Sequence, residues 1–174
     1  MIIWLASYPK SGNTLLRSIL ATYFFSEDGE FKFEHLYKID QFPSIHHFEN
    51  LGIDTSNEKL VFKNFINAQK SINNDKNKIK FFKTHSSLSK IENCNFTDLD
   101  NTLGAIYIVR DPRNVVKSFS HHYDLTIDEA TEAMIDQSRW LARTDTMFKT
   151  FLSSWKINYN SWKQLDNKVL FVKY

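Results

Sequence analysis

Cysteine is almost missing from this chain. Cys94 stands alone among 174 residues, so no intrachain disulfide can form. The Cys/His spacing of a zinc site is missing too, which suits a reducing compartment and argues against a structural metal. Long apolar runs are absent: nowhere do about 18 uncharged apolar residues follow one another, as a membrane-spanning helix requires. The first residues lack a basic flank and an apolar stretch of signal-peptide length, so a soluble, cytoplasmic protein is expected. Charge of one sign is lacking as well, since 22 Lys and Arg against 20 Asp and Glu leave a formal +2. That balance excludes a broad electrostatic footprint for duplex nucleic acid, and any basic function must be local. Four glycines and three prolines build no Gly/Pro-rich linker, and no repeat or low-complexity segment interrupts the chain.

What is present is apolar and aromatic. Hydrophobic residues make up 42% and aromatics 15%, with 15 Phe, enough for a packed core. The length fits one domain, for which about 50 to 250 residues is usual. The chain opens with an apolar, strand-like run, Ile2 to Ala6. After Gly12 the apolar positions Leu15, Leu16, Ile19, Leu20, Tyr23 and Phe24 recur at helical spacing up to the turn-forming stretch at Ser26 to Gly29. A helix is expected over Ser56 to Ile72, followed by a polar loop from Asn73 to Lys78, while residues 30–55 carry no clear pattern. Further strands are expected at Ile79 to Thr84, Ala105 to Val109 and Val169 to Val172. Helices are expected over Pro112 to Tyr123, Thr126 to Arg143 and about Phe148 to Leu165.

Strands alternating with helices predict an α/β domain around a mostly parallel sheet, in which ligands sit beyond the carboxyl ends of the strands. The polar motifs fall there. SYPKSGNT follows the first strand, KTHSS closes the second and RDPRN the third, which brings Lys10, His85 and Arg110 to three strand ends. A strand, a glycine-containing loop and a helix can cradle a phosphate, because the helix start presents unpaired N–H groups and a favourable dipole. The same residues also read as a plain turn at Gly12 with Asn13 or Thr14 capping a helix. The stretch departs from the Walker pattern G-x-x-x-x-G-K-[ST], since Lys10 precedes Gly12 by two residues instead of following the last glycine, and this weakens a phosphoryl-transfer reading.

Taken together, the motifs resemble the sulfotransferases that use 3′-phosphoadenosine 5′-phosphosulfate. SYPKSGNT resembles that family's 5′-phosphosulfate loop, whose usual form is YPKSGTTW. IYIVRDPRNVVKSFSHHY is similar to its 3′-phosphate-binding strand and helix, with Arg110 and Ser118 in the Arg and Ser positions. FFKTHSSL resembles the KTHLP segment, and VLFVKY the strand leading into a YED motif. Four motifs in the family's order run from the first strand to the last residue.

The resemblance implies a single-domain α/β fold of the P-loop nucleoside triphosphate hydrolase-like sulfotransferase type. It also implies transfer of a sulfuryl group from 3′-phosphoadenosine 5′-phosphosulfate to a small-molecule or glycan acceptor bearing a hydroxyl or amine. Lys10, Ser11, Gly12, Asn13, Thr14, Arg110, Ser118 and Tyr174 would bind the nucleotide. His85 would be the catalytic base, its ordinary pKa of about 6.5 suiting neutral pH. Lys10 would stabilise charge on the departing phosphate, with Lys83 beside His85 assisting and Ser118 contacting Lys10. No metal, nucleic acid or membrane enters this picture, and a homo-oligomer is compatible with it. The rival readings are a kinase-like phosphoryl transferase and a non-catalytic nucleotide-binding remnant. Two departures stand out: Leu15 replaces the tryptophan that stacks on adenine, and Ser86-Ser87 replace Leu-Pro after the histidine. The chain stops at Tyr174, before the family's closing RKGxxGDWKxxF segment, as either a fragment of a longer enzyme or a shortened homologue would, so the fold is expected to be C-terminally incomplete. His46-His47 falls in the unplaced segment, His121 and His122 read as solvent or packing residues, and Trp140, Trp155 and Trp162 read as core.

Overall fold

The computed structural model describes residues 1–75 and 78–174; Lys76 and Asn77, inside the expected polar loop, lie outside the described residues. In chain order come β1 (Ile2–Ala6), α1 (Asn13–Phe25), a 3-10 turn (Phe33–Lys38), β2 (Asp40–Gln41), α2 (His46–Glu49), α3 (Glu58–Lys63) and α4 (Phe65–Ile72). Next are β3 (Lys80–Thr84), β4 (Lys90–Ile91), β5 (Cys94–Asn95), β6 (Thr102–Val109), α5 (Pro112–Tyr123) and α6 (Ile127–Ile135). The chain closes with β7 (Trp140–Leu141), β8 (Thr150–Phe151), α7 (Trp155–Ser161), a second 3-10 turn (Trp162–Lys168) and β9 (Val169–Lys173).

Five of these strands form one sheet in the order β2-β3-β1-β6-β9, and every pair in it is parallel. The α/β class expected from the sequence is therefore the observed one. β1 lies at the centre, with Ala6 level with Thr84 of β3 on one side and with Tyr107 of β6 on the other. The order reverses at β1: the chain goes out to β2 and β3 on one flank, then returns to β6 and β9 on the other. In a parallel sheet such a reversal opens a crevice at the carboxyl ends.

β1 alternates between two layers, as a pleated strand must. Ile2, Trp4 and Ala6 enter the larger core, while Leu5 packs with Ala21 of α1 and with Ile39. Trp4 is the hub of an aromatic layer, with ring centroids 5.1 Å from Phe96, 5.8 Å from Phe42 and 6.3 Å from Phe82. Its buried indole N–H donates to Thr102 Oγ1 at 2.9 Å, so the ring carries no unpaired donor into the core. A third cluster, with Tyr8, Val115, Phe119, Ala130 and Met134, sits between the first loop and helices α5 and α6.

Three expected helices are shorter than their apolar periodicity implied, and side-chain hydrogen bonds explain each case. The helix expected over Ser56 to Ile72 starts at Glu58, where Asn57 Oδ1 accepts Leu60 N–H, and breaks at Asn64 into α3 and α4. The helix expected from Thr126 to Arg143 opens with a capping box between Thr126 and Glu129 but ends at Ile135. There Asp136 Oδ1 accepts from both the N–H and the hydroxyl of Ser138, turning the chain into β7. In the third case Phe148 and the residues after it run extended, β8 pairs with β7, and α7 begins only after Ser154, whose Oγ accepts Ile157 N–H. α1 has the expected span, yet Leu15, Ile19, Tyr23 and Phe24 lie on its exposed side. The inward line is Asn13, Arg17 and Ala21, and Arg17 is buried because its guanidinium donates to the carbonyls of Leu36 and Ile39 at 2.8 and 2.6 Å. Among the described residues no helix is long and apolar enough to cross a membrane.

Phe96 touches Trp4, Phe42, Phe65 and Trp162 within this layer and is 1% exposed. Phe96→Ala is expected to lower the unfolding free energy by about 3–5 kcal/mol, the usual cost of emptying a buried aromatic site. Urea unfolding monitored by circular dichroism checks this, and a loss below about 1 kcal/mol would show that the layer does not carry the core.

Candidate active site

The loop between β1 and α1 is bent by two left-handed residues, Lys10 at φ 65° and Gly12 at φ 100°. Gly12 is the N-cap of α1 and supplies no side-chain cap, and the first turn of α1 holds no acidic residue. The N–H groups at the start of this 13-residue helix thus lack a protein anion, which makes the helix start receptive to one. Ser11 is 1% exposed, and its Oγ is buried without a hydrogen-bond partner. Asn13 points inward: its Nδ2 donates to Leu5 O at 2.9 Å and to Ser7 Oγ at 3.1 Å, tying the loop back onto its own strand. What Asn13 offers outward is therefore its backbone N–H, while Thr14 lies exposed. Lys10 makes no ion pair among the described residues.

Arg110 and Tyr174 close one side of this loop. The Arg110 guanidinium donates to Lys10 O at 3.1 Å and lies 4.7 Å from the centroid of the Tyr174 ring. The neighbouring Asp111 binds Arg113, which donates through Nε–H at 3.0 Å, and caps α5. Tyr174 is aligned by its N–H, which donates to Val109 O at 2.8 Å. Its ring covers Gly12 so closely that a methyl group there would run into it. Glycine is required at this position twice over, by the positive φ and by the ring above it. Ser118 lies half-buried on α5. The expected contact between Ser118 and Lys10 is absent, for no hydrogen bond joins them among the described residues.

His85 follows β3 and faces the same carboxyl edge. Its Nδ1–H donates to Ser7 O at 2.8 Å, with Ser7 Oγ at 3.2 Å. A carbonyl can only accept, so the ring is the Nδ1–H tautomer and Nε2 keeps its lone pair. Burial, reinforced by the positive charges of Lys83, Arg17 and Lys10, pulls His85 down to about 3, although the bond to Ser7 works the other way. The ordinary value near 6.5 expected from the sequence is thereby corrected: His85 is neutral throughout the physiological range. Lys83 falls to about 8, mainly through burial and then through the charge of Arg17, and its Nζ donates to Gln41 Oε1 at 2.9 Å. A cavity of about 310 Å³ opens before this pair, with Gln41, Lys83 and His85 on its polar wall and Phe42, Tyr123, Leu141, Met147 and Phe148 on its apolar one.

Two positioning residues escaped the sequence reading. Ser7 orients His85, and buried Asn158 of α7 donates from Nδ2 to His85 O at 3.0 Å and to Leu152 O at 2.8 Å, while its Oδ1 accepts Tyr107 O–H at 2.8 Å. Asn158 is 73 residues from His85 along the chain, and a single buried asparagine carries no local pattern that would announce it. His121 and His122 lie exposed in the last turn of α5, Trp162 is fully buried, and Trp140 and Trp155 are half-buried against aromatic neighbours.

Nitrogen-15 shifts of His85 are expected to show a neutral Nδ1–H ring from about pH 8 down to about pH 5. A midpoint near the ordinary 6.5 would overturn the placement. The sign for stability follows from the lowered value: the unfolded chain takes up this proton at 6.5 and the folded one only at about 3. The contribution of His85 to stability is thus complete above pH 6.5 and is lost as the pH falls toward 3.

The fold has counterparts among known structures. In fold the chain is similar to mouse sulfotransferase SULT7A1 in complex with PAP, at TM-score 0.53 and 21% identity over 99% of this chain and 51% of that one. It is likewise similar to retinol dehydratase in complex with retinol and PAP, at TM-score 0.51 and 17% identity over 99% of this chain and 54% of the other. The chain therefore spans about half the length of these structures. No curated protein matches it. A model of the sulfotransferase domain matches residues 2–174, and the chain belongs to that family.

Proposed function

We propose that the protein transfers a sulfuryl group from 3′-phosphoadenosine 5′-phosphosulfate to a hydroxyl or amine on a small molecule with an apolar body. The observation that carries this reading is the meeting of three elements at one parallel sheet edge: the uncapped loop around Lys10 and Gly12, Arg110 beside it, and neutral His85 across β1. The family match and the PAP named for both similar structures support the choice of nucleotide.

The loop residues suit the donor. The buried Ser11 hydroxyl without a partner and the uncapped N–H groups of α1 are donors awaiting an anion. Lys10, Ser11 and the N–H groups of Gly12, Asn13 and Thr14 would hold the 5′-phosphosulfate. Arg110 and Ser118 would hold the 3′-phosphate, Arg110 through its planar, two-pronged guanidinium. Tyr174, stacked under Arg110, would border the nucleotide. When bound, the donor supplies an electrophilic sulfur whose bond to phosphate oxygen breaks as the acceptor oxygen or nitrogen bonds to sulfur.

His85 Nε2 takes the acceptor's proton. Taken alone, a ring pulled down to about 3 is a weak base. The negative charge of the donor, placed among Lys10, Lys83 and Arg17, offsets the cations that depress it and so raises its basicity only when the donor is in place. Ser7 fixes the tautomer that leaves Nε2 free. The apolar wall of the cavity would receive the body of the acceptor, and the polar wall its reacting group.

Calorimetric titration is expected to show binding of adenosine 3′,5′-bisphosphate in preference to ATP with Mg²⁺, and the reverse preference would refute the proposal. Lys10→Ala and Arg110→Ala should each weaken bisphosphate binding at least tenfold, since each removes a charge-assisted contact worth about 1.5–3 kcal/mol. Unchanged affinity in both folded variants would place the nucleotide elsewhere.

For His85→Asn, bisphosphate affinity should change little while sulfuryl-transfer turnover drops by about 10²-fold or more. Near wild-type turnover with chemistry rate-limiting would remove His85 from the mechanism.

A further inference from the structure

Behind the polar wall of the cavity, on the far side of Gln41, Asp40 meets two adjacent histidines. Asp40 Oδ2 lies 3.2 Å from His46 Nε2 and 3.2 Å from His47 Nε2, and the three ligand atoms all lie within 4.8 Å of one another. Asp40 opens β2 and the histidines open α2, so the cluster joins two elements across the turn between them. His47 is held in place by Phe42, its ring centroid 6.0 Å away in a stacked arrangement, and by Phe82 at 5.6 Å. Its Nε2 is buried and has no hydrogen-bond partner: the approach to Asp40 is close but lacks hydrogen-bond geometry. A buried imidazole nitrogen whose one polar neighbour is a carboxylate oxygen at 3.2 Å, out of hydrogen-bond geometry, is poorly satisfied unless something bridges the two.

We propose that Asp40, His46 and His47 bind a divalent transition-metal ion, with Zn²⁺ the first candidate. Imidazole nitrogen with one carboxylate suits zinc and its neighbours, whereas calcium and magnesium want oxygen alone. With zinc bonds of about 2.0–2.1 Å, the ligand-to-ligand edge of a tetrahedron is about 3.3–3.4 Å. The two 3.2 Å separations are already close to that edge, and the two histidine nitrogens lie within 4.8 Å of each other. Asp40 keeps its other oxygen for Gln41 N–H at 2.6 Å, the outer contact that orients a ligating carboxylate. Three protein ligands leave one position for water, on the side where His46 is half-exposed. The Asp40 carboxylate is also felt by the buried Arg17 guanidinium, a positive charge that opposes an incoming cation. None of the three ligands lines the cavity before His85; the site ties β2 to α2 next to Gln41, which holds Lys83. Cys/His finger spacing does not reveal it, because adjacent histidines with a carboxylate six residues upstream follow no such rule.

Calorimetric titration of the untagged chain with Zn²⁺, paralleled by Co²⁺ uptake read from the visible absorption of a tetrahedral Co²⁺ centre, tests the assignment. One ion per chain is expected. His46→Ala, on a half-exposed side chain, and Asp40→Asn, which keeps an acceptor for Gln41 N–H, should each weaken uptake by at least about tenfold with the circular dichroism spectrum retained. Cys94→Ser should leave uptake unchanged. No uptake by the wild type overturns the proposal, as does uptake that survives both substitutions or is lost with Cys94→Ser. The nucleotide titration is independent of each of these outcomes.

Discussion

The structure depends on the parallel register of β1 between β3 and β6. Because Ala6 is level with both Thr84 and Tyr107, three connections leave the sheet at one height: the Lys10 loop, the His85 segment and, two residues beyond Ile108, the Arg110 turn. A slip of one residue along β1 would exchange Trp4 with its neighbours across the sheet and push the indole out of the aromatic layer. The register that buries Trp4 is thus also the register that gathers the polar groups.

The site is held by bonds that run inward from its own residues. Asn13 ties the loop to Leu5 and Ser7, Ser7 ties His85 through its carbonyl, and Asn158 ties the His85 carbonyl to Tyr107. These bonds are buried or partly buried, so they are expensive to leave unmade, and they lock the backbone around the His85 ring. The cations work in the opposite direction. Lys10, Lys83 and Arg17 all depress His85, a concentration of positive charge that only an anion can relieve.

Much of the backbone arrangement along this edge was legible because it is local in the sequence. The strand, glycine loop and helix at residues 2–25, and the RDP turn with its helix, are contiguous stretches whose spacing and capping residues decide their shape. The shorter helices were not legible. Apolar periodicity continues across Asn64, Asp136 and Ser154, but side-chain hydrogen bonds at these residues set the boundaries: Asn64 bonds back to Leu60 O, Asp136 turns the chain at Ser138, and Ser154 caps the late start of α7. The outward side of α1 was also misleading: Leu15 and Ile19 share the helical period with Leu16 and Leu20, and only the position of the sheet decides which pair is covered.

By itself the sequence determined the class of fold, the four motifs and the family they indicate, because backbone conformation and anion-binding character are properties of short contiguous segments. Only the tertiary structure decided the state and setting of the residues. It turned Asn13 inward, laid Tyr174 over Gly12, made His85 a neutral Nδ1–H ring, and brought Asp40 to His46 and His47. The physical reason is that protonation, tautomer and ligand geometry depend on desolvation and on charges a few ångströms away. Those neighbours come from strands and helices tens of residues apart, so no window along the chain contains them.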